Sequence, residues 1–151
     1  FSQAMIDRAK VRLGETGQSN VSFAVADITS RWPCDDESYD LVTCSLVLEH
    51  IKEIDFIFAE SSRCLRDGGR LFLCELHPYR QYAGTKANFT RDQKVTQIDS
   101  FVHHVSDFLD GTARNGLSLE SLKEWWHEED KNKPPRLLSL MFSKSSQNHG
   151  R

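Results

Sequence analysis

The pattern of apolar and polar residues predicts helices that alternate along the chain with short buried strands. Apolar positions at helical spacing predict one helix over residues 2–13 and another over residues 54–65. Three short apolar runs, at residues 21–26, 41–44 and 71–74, lack a clear polar face, which is typical of strands buried on both sides of a parallel sheet. Strands that alternate with helices in this way predict an α/β fold with right-handed crossovers.

The second half of the chain follows a different pattern. The pair Gly68-Gly69 predicts the end of the second helix in a left-handed conformation. Residues 77–100 are polar and aromatic without a regular period, which predicts an irregular excursion over a site. A further helix is predicted over residues 106–115, with Ser106 as its N-cap.

Two apolar runs near the end of the chain, at residues 117–126 and 136–142, predict an antiparallel pair at an edge of the sheet. We therefore expect a single partial domain over residues 1–143, in which residues 77–105 form the excursion over a site. Residues 144–151 are predicted to be a disordered tail.

Composition excludes some functional classes. The 151 residues are 38 % hydrophobic, which is enough for one core. The 19 basic and 22 acidic side chains give a net charge of −3, which argues against nucleic acid as a partner. No apolar run is long enough to cross a bilayer. The four cysteines lack metal-site spacing and indicate free thiols in a reducing compartment, so we expect a cytoplasmic protein.

Five short motifs occur in a fixed order in the first half of the chain. They are Val25-Ala26-Asp27-Ile28, Trp32-Pro33, residues 38–45, Leu48-Glu49-His50-Ile51 and residues 63–69. Together they resemble the class I S-adenosylmethionine-dependent methyltransferases, and within them the small-molecule, methyltransferase type 11-like group. The resemblance implies a Rossmann-like sheet with an antiparallel edge strand, which agrees with the α/β pattern.

The chain also departs from that family. It contains no Gly-x-Gly-x-x-Gly motif, so the glycine-rich cofactor loop and the family's first two strands are missing from it. The segment that begins at Phe1 resembles the part of the family that follows those two strands. We therefore expect this chain to be an N-terminally truncated, carboxyl-terminal fragment of an enzyme, and to be inactive in isolation.

The resemblance implies S-adenosylmethionine as the cofactor and assigns residues to it. The carboxylate of Asp27 would accept a hydrogen bond from the adenine amino group, the Ile28 backbone would meet a ring nitrogen, and Phe1 would pack against adenine. Ser45 and Leu46 would lie beside the methionine part of the cofactor, at the carboxyl edge of the sheet. The alternative for Asp27 is a structural role, because aspartate often caps the turn that follows it.

Histidines are the candidates for chemistry on the acceptor. His50, His77, His103 and His104 could each take a proton near neutral pH. The resemblance also implies that residues 77–105 shape the acceptor pocket, with His77, His103 and Tyr79 as the predicted acceptor-binding residues. For His50 the alternative is a structural hydrogen bond, and for His77, His103 and His104 it is an ordinary place at the surface. No carboxylate pattern beside them indicates a metal site.

The function that follows is the transfer of a methyl group from S-adenosylmethionine to an oxygen, nitrogen or carbon of a small organic acceptor. In such an in-line displacement the protein mainly aligns the reactants and excludes water. Two alternatives stay open. One is a non-catalytic, methyltransferase-like binding protein, and the other is a nicotinamide-dependent oxidoreductase on a similar sheet.

Overall fold

The computed structural model describes residues 3–83, 88–91, 94–97, 100–130 and 133–146. These residues include four α-helices, six strands and two short 3-10 helices. The helices are α1 (Gln3–Thr16), α2 (Asp55–Cys64), α3 (Pro78–Tyr82) and α4 (Val105–Arg114). The strands are β1 (Tyr39–Ser45), β2 (Leu65–Leu76), β3 (Asn88–Arg91), β4 (Lys94–Gln97), β5 (Leu117–Trp125) and β6 (Leu137–Lys144). Contacts divide the chain into two compact units, Phe1–Pro33 and Cys34–Arg151.

The first unit contains the predicted first helix but not the predicted first strand. Helix α1 buries none of its residues. Residues 21–26 are not a β-strand, which corrects the prediction, and Val21, Phe23 and Val25 are exposed. A strand needs a neighbouring backbone to take its N–H and C=O groups, and no described segment pairs with this one.

The second unit is built on a four-stranded sheet in the order β1-β2-β6-β5. Strands β1 and β2 are parallel, whereas β6 runs antiparallel to both of its neighbours, β2 and β5. The predicted α/β class is therefore confirmed, and so is the antiparallel pair of strands near the end of the chain. Because β1 and β2 are parallel, their carboxyl ends meet at the same edge of the sheet.

One face of this sheet carries the core. Paired residues share a face, and Leu71 pairs with Phe142 while Leu73 pairs with Leu140, all four of them buried. Helices α2 and α4 contribute the buried side chains Ile57, Phe58 and Phe108. At Gly111 the two helices approach so closely that a Cβ atom would lie 2.8 Å from the Phe58 ring.

The glycine pair does not end α2, contrary to the prediction. The helix stops at Cys64, and Leu65 already has extended backbone angles and starts β2. Gly68, at φ 75°, lies inside this strand where its register with β1 shifts. Leu65 is fully buried, so the chain enters the sheet directly after the helix, and the glycines then accommodate the irregularity.

Residues 77–100 are more regular than predicted, because they include α3 and an antiparallel hairpin of β3 and β4. The predicted helix that follows is confirmed as α4, but its N-cap is His104 and not Ser106. The backbone N–H of His104 donates to the Asp107 carboxylate at 2.7 Å. The Asp107 carboxylate thus satisfies the N–H group of the N-cap residue. Ser106 lies inside the first turn of the helix, so it is not the N-cap.

The last strand extends one residue beyond the predicted domain end. Lys144 belongs to β6, and its Nζ donates to the Leu65 carbonyl at 2.8 Å. Of the predicted tail, residues 147–151 lie outside the described residues. Among the helices that the structure describes, none is long and apolar enough to cross a membrane.

Candidate functional site

The carboxyl ends of β1 and β2 form the candidate site, and the segment of residues 46–51 that leaves β1 is called the 46–51 turn here. It contains a short 3-10 helix, Leu48–His50. Leu46 has φ 52°, in the left-handed region that side-chain-bearing residues rarely adopt. Its N–H donates to the Cys74 carbonyl at 2.9 Å. Backbone strain of this kind needs support from its surroundings, and it is common at functional sites.

Glu75 supports the start of this turn. Glu75 is only 4 % exposed, and its carboxylate accepts hydrogen bonds from the N–H of Val47 at 3.0 Å and from the N–H of Leu48 at 3.2 Å. The Cys44 thiol lies 3.8 Å from the same carboxylate and donates to it. A carboxylate in this position satisfies N–H groups that open the 3-10 helix.

Burial is the main influence on the pKa values of Glu75 and Cys44. It raises the pKa of Glu75 to about 7, against the opposing effect of the hydrogen bonds from Leu48 and Val47. The nearby charge of Glu49 raises the pKa of Glu75 further. Burial, with the charge of Glu75 beside it, raises the pKa of the Cys44 thiol to about 12, so that Cys44 stays a hydrogen-bond donor.

His103 holds the other end of the turn. Its ring is 7 % exposed, and Nε2 lies 3.1 Å from the Leu48 carbonyl oxygen and 2.7 Å from that of Ile51. Because both partners are acceptors, Nε2 carries the proton and donates. The ring also meets Phe108 edge-on, with centroids 6.1 Å apart. His103 is therefore buried and not at the surface, which corrects its alternative, and its Nε2 is engaged with backbone.

His77 is engaged in a similar way. It is the N-cap of α3, where its Nδ1 accepts from the Tyr79 N–H at 3.1 Å. Its Nε2 lies 2.9 Å from the carboxylate of Glu124 on β5. Both ring nitrogens therefore have partners within the protein. The Tyr79 side chain is 53 % exposed.

The other two histidines are more accessible. His50 is half-buried and lies 3.8 Å from Glu49 Oε1. His104 is exposed, and its Nδ1 lies 2.6 Å from the hydroxyl of Tyr82, which the sequence did not single out. The two rings are 5.4 Å apart between centroids. The exposure of both rings leaves the Tyr82–His104 pair within reach of a small molecule.

The predicted adenine site lies in the first unit. Asp27 is exposed, and its Oδ1 accepts from both the N–H and the hydroxyl of Thr29, at 2.9 and 2.7 Å. The hydroxyl bond is the main reason that the pKa of Asp27 is lowered, so this carboxylate is ionised at neutral pH. The Ile28 carbonyl accepts from the Trp32 indole. Asp27 thus makes the turn contact of the structural alternative, and the charged group also suits an amino-group donor.

The remaining predicted residues divide between the units. Phe1 lies outside the described residues. Ser45 is exposed at the end of β1, and Leu46 is 48 % exposed beside it. An accessible backbone at the carboxyl edge of parallel strands fits a bound cofactor. Among the described residues, no group of three or more His, Cys, Asp or Glu side chains could hold a metal ion.

Glu75 is the main residue that the sequence analysis missed. The available signal is its place directly after the apolar run at residues 71–74, where the strand was predicted to continue into the carboxyl edge. A lone acidic residue at the end of a buried strand has few partners nearby in sequence. Its partners, Val47 and Leu48, are 28 and 27 residues away.

Similarity to a known protein family is found in the first half of the chain. Residues 1–73 match the family described as "Methyltransferase domain". This part of the chain is similar to that family. The match ends inside β2 and therefore includes the 46–51 turn but not Glu75.

Individual relatives support the same relationship. The chain is 39 % identical over 75 residues to a demethylmenaquinone methyltransferase of Clavibacter sepedonicus, which covers 50 % of this chain and 29 % of that protein. The chain spans less than half the length of the curated relatives it matches, between 29 and 42 %.

Nearly the whole chain has the same fold as solved methyltransferase structures. An S-adenosylmethionine-dependent methyltransferase of Mesorhizobium loti superposes with a TM-score of 0.73 at 17 % identity, covering 94 % of this chain and 76 % of that one. Another, from Clostridium acetobutylicum, gives 0.75 at 14 % identity and covers 96 % and 73 %. The Rossmann-like fold that the motifs implied is therefore confirmed.

Proposed function

We propose that this protein takes part in S-adenosylmethionine-dependent methyl transfer to a small organic acceptor. The match of residues 1–73 to the methyltransferase domain family carries the proposal. The fold of the whole chain supports it, and the relative named demethylmenaquinone methyltransferase favours a small molecule as the acceptor. When bound, S-adenosylmethionine would supply an activated methyl group on a sulfonium.

On the cofactor side, Asp27 would bind the adenine amino group through its carboxylate. Its exposure and its lowered pKa support this role, because an ionised and accessible carboxylate is a strong acceptor. The Ile28 backbone would lie against the adenine ring. Ser45 and Leu46 would contact the methionine part, a role supported by their exposure at the end of β1.

On the acceptor side, His104 is the best-supported candidate for taking a proton. It is exposed and hydrogen-bonded to Tyr82, whereas His77 and His103 donate or accept inside the protein. The half-buried His50 is the second candidate. Tyr79, exposed on α3, would line the acceptor site together with these histidines.

The test is calorimetric titration of S-adenosylhomocysteine into the full-length protein. We expect micromolar binding by the wild type and about tenfold weaker binding by Asp27→Ala, which corresponds to the loss of one hydrogen bond to a charged group. The matched control is Asp35→Ala, because Asp35 is also an exposed aspartate in a loop. Its affinity should equal that of the wild type.

Two results would overturn the proposal. The first is a folded full-length protein that binds no S-adenosylhomocysteine, which would favour the non-catalytic alternative. The second is binding of a nicotinamide dinucleotide in its place, which would favour an oxidoreductase.

A further inference from the structure

The 46–51 turn is held from two sides by residues that are distant in sequence. At its start, the Glu75 carboxylate accepts from two successive backbone N–H groups. At its end, His103 Nε2 donates to two backbone carbonyls. Between them, the Phe101 N–H donates to the Glu49 carbonyl at 2.7 Å. The backbone of this short segment is therefore fixed by groups outside it.

The strain at Leu46 explains why such support is needed. A leucine at φ 52° is unfavourable, and the turn would relax if its neighbours allowed it. Leu46 directly precedes the two N–H groups that Glu75 binds. The carboxylate therefore fixes the backbone next to the strained residue, at the end of β1 where the proposed cofactor site begins.

Stability alone does not account for Glu75. Burial raises its pKa to about 7, so keeping the carboxylate ionised in this place is unfavourable for folding near neutral pH. A buried polar group that lowers stability while it fixes a backbone segment is typical of functional sites.

We propose that Glu75 and His103 are positioning residues that hold the 46–51 turn in the conformation that receives the methionine part of the cofactor. This inference rests on the proposed function. It gives His103 a different role from that of a proton acceptor, because its engaged Nε2–H donates to the backbone. His103 precedes α4, so the same contacts connect the entrance of that helix to the cofactor edge.

Backbone hydrogen exchange tests the structural half of the proposal without any ligand. In Glu75→Gln, which keeps the shape but loses the charge, we expect the amides of Val47 and Leu48 to exchange about tenfold faster than in the wild type. Glu60→Gln is the matched control, since Glu60 is also a buried glutamate, 7 % exposed, but pairs with Arg63 on α2. Unchanged exchange in Glu75→Gln would overturn the proposal.

Substitutions at His103 separate positioning from proton transfer. His103→Gln retains an N–H donor in place of Nε2, whereas His103→Leu has none. We expect His103→Leu to weaken S-adenosylhomocysteine binding about tenfold and His103→Gln to restore it to within about threefold of the wild type. Equal losses of affinity in both variants, with melting temperatures unchanged, would overturn the positioning role.

The pH dependence of binding gives a third readout. Protonation of Glu75 removes charge from the acceptor of the two N–H groups, so wild-type affinity should fall as the pH drops below about 7. The titratable groups facing Glu75 are Cys44 on β1 and Glu49 in the turn. The fall should disappear in Glu75→Gln but persist in Glu60→Gln, and a pH profile that is identical in all three proteins would contradict the proposal.

The outcomes also separate this inference from the proposed function. If the wild type binds no S-adenosylhomocysteine, the proposed function fails, whereas faster exchange in Glu75→Gln would still show that Glu75 holds the turn. If the wild type binds and the exchange rises without any change in affinity, methyl-donor binding stands and the positioning role is overturned.

Discussion

Two turns of this molecule are built in opposite ways. The turn at Asp27 is local, because its carboxylate binds the N–H and hydroxyl of Thr29, two residues further along the chain. The 46–51 turn depends on distant residues, Glu75 and His103, which are separated from their partners by 27 to 55 residues. The first turn is exposed, whereas both residues that hold the second are buried.

This difference determines how far a perturbation spreads. A local turn can change without disturbing packing elsewhere, because its hydrogen bonds close within three residues. The 46–51 turn is bound to β2 through Glu75 and to the entrance of α4 through His103. Changes in that part of the second unit should therefore affect the core, and changes in the Asp27 turn should not.

The largest expected effect concerns the charge on Glu75. Because its folded-state pKa is raised from 4.5 to about 7, the folded protein holds this proton more tightly than the unfolded chain. The stability contributed by protonated Glu75 is present below pH 4.5 and is lost as the pH rises to about 7, by at most about 3 kcal/mol. Glu75→Gln should therefore gain stability relative to the wild type as the pH rises through this window.

Denaturant unfolding at pH 4.5, 6 and 8 measures this difference. Other titrating groups affect both proteins, so the free energy of unfolding of the variant minus that of the wild type isolates Glu75. A difference that does not change with pH, or that falls as the pH rises, would contradict the raised pKa. Glu60→Gln serves as the buried-glutamate control, because the Glu60 carboxylate pairs with Arg63.

The next largest effect is the change in stability when alanine replaces a helical glycine. One glycine packs against residues that are distant in sequence, and the other does not. A Cβ on Gly111 would lie 2.6 Å from Asp55 Oδ1 and 2.8 Å from the Phe58 ring, so Gly111→Ala should destabilise the protein by about 2 kcal/mol through overpacking of α2 and α4. Gly14, in the exposed α1, has open space around the same position. Gly14→Ala should instead stabilise its helix by about 0.5–1 kcal/mol.

Thermal and chemical unfolding of both glycine variants checks these signs. The comparison is matched, since each change adds one methyl group to a helical glycine. Destabilisation of similar size at both positions would show that distant packing does not distinguish these helices. A neutral Gly111→Ala would mean that Phe58 moves aside without loss.

The same distinction explains what the sequence predicted. Helices α1 and α2 and the apolar parts of strands β1, β2, β5 and β6 follow from the apolar pattern, and α4 follows from signals at its two ends. All of these are local properties of the chain. The predicted strand at residues 21–26 is absent because strand formation requires a partner, and the described structure provides none. Glycine with a positive φ occurs in bulged strands as well as at helix ends. The sequence therefore could not decide which of these two roles Gly68-Gly69 has.

The candidate site follows the same rule. Asp27 with its turn could be predicted, because aspartate and the residues just after it form such turns in many sequences. Glu75 could not, because its role depends on the parallel register that brings the end of β2 beside the end of β1, Cys74 against Ser45. His103 was selected for its chemistry, but its two carbonyl partners lie more than 50 residues away.

The smallest expected effect is on the Asp27 turn. Thr29→Val removes the hydroxyl that is the main cause of the lowered pKa of Asp27 and keeps the backbone N–H bond. The pKa of Asp27 should rise toward its ordinary value, while the unfolding midpoint stays that of the wild type, because both residues are exposed and their contacts are local. An NMR titration of the Asp27 carboxyl carbon measures the first quantity.

Thr16→Val is the control for this last variant, since it removes another exposed hydroxyl, which donates to the Leu13 carbonyl in the last turn of α1. It should leave the Asp27 titration unchanged. If Thr29→Val lowered the unfolding midpoint as much as Gly111→Ala does, the Asp27 turn would be part of a cooperative core. The contrast between a locally closed turn and a turn held by distant residues would then fail, because both would depend on packing beyond their own sequence neighbours.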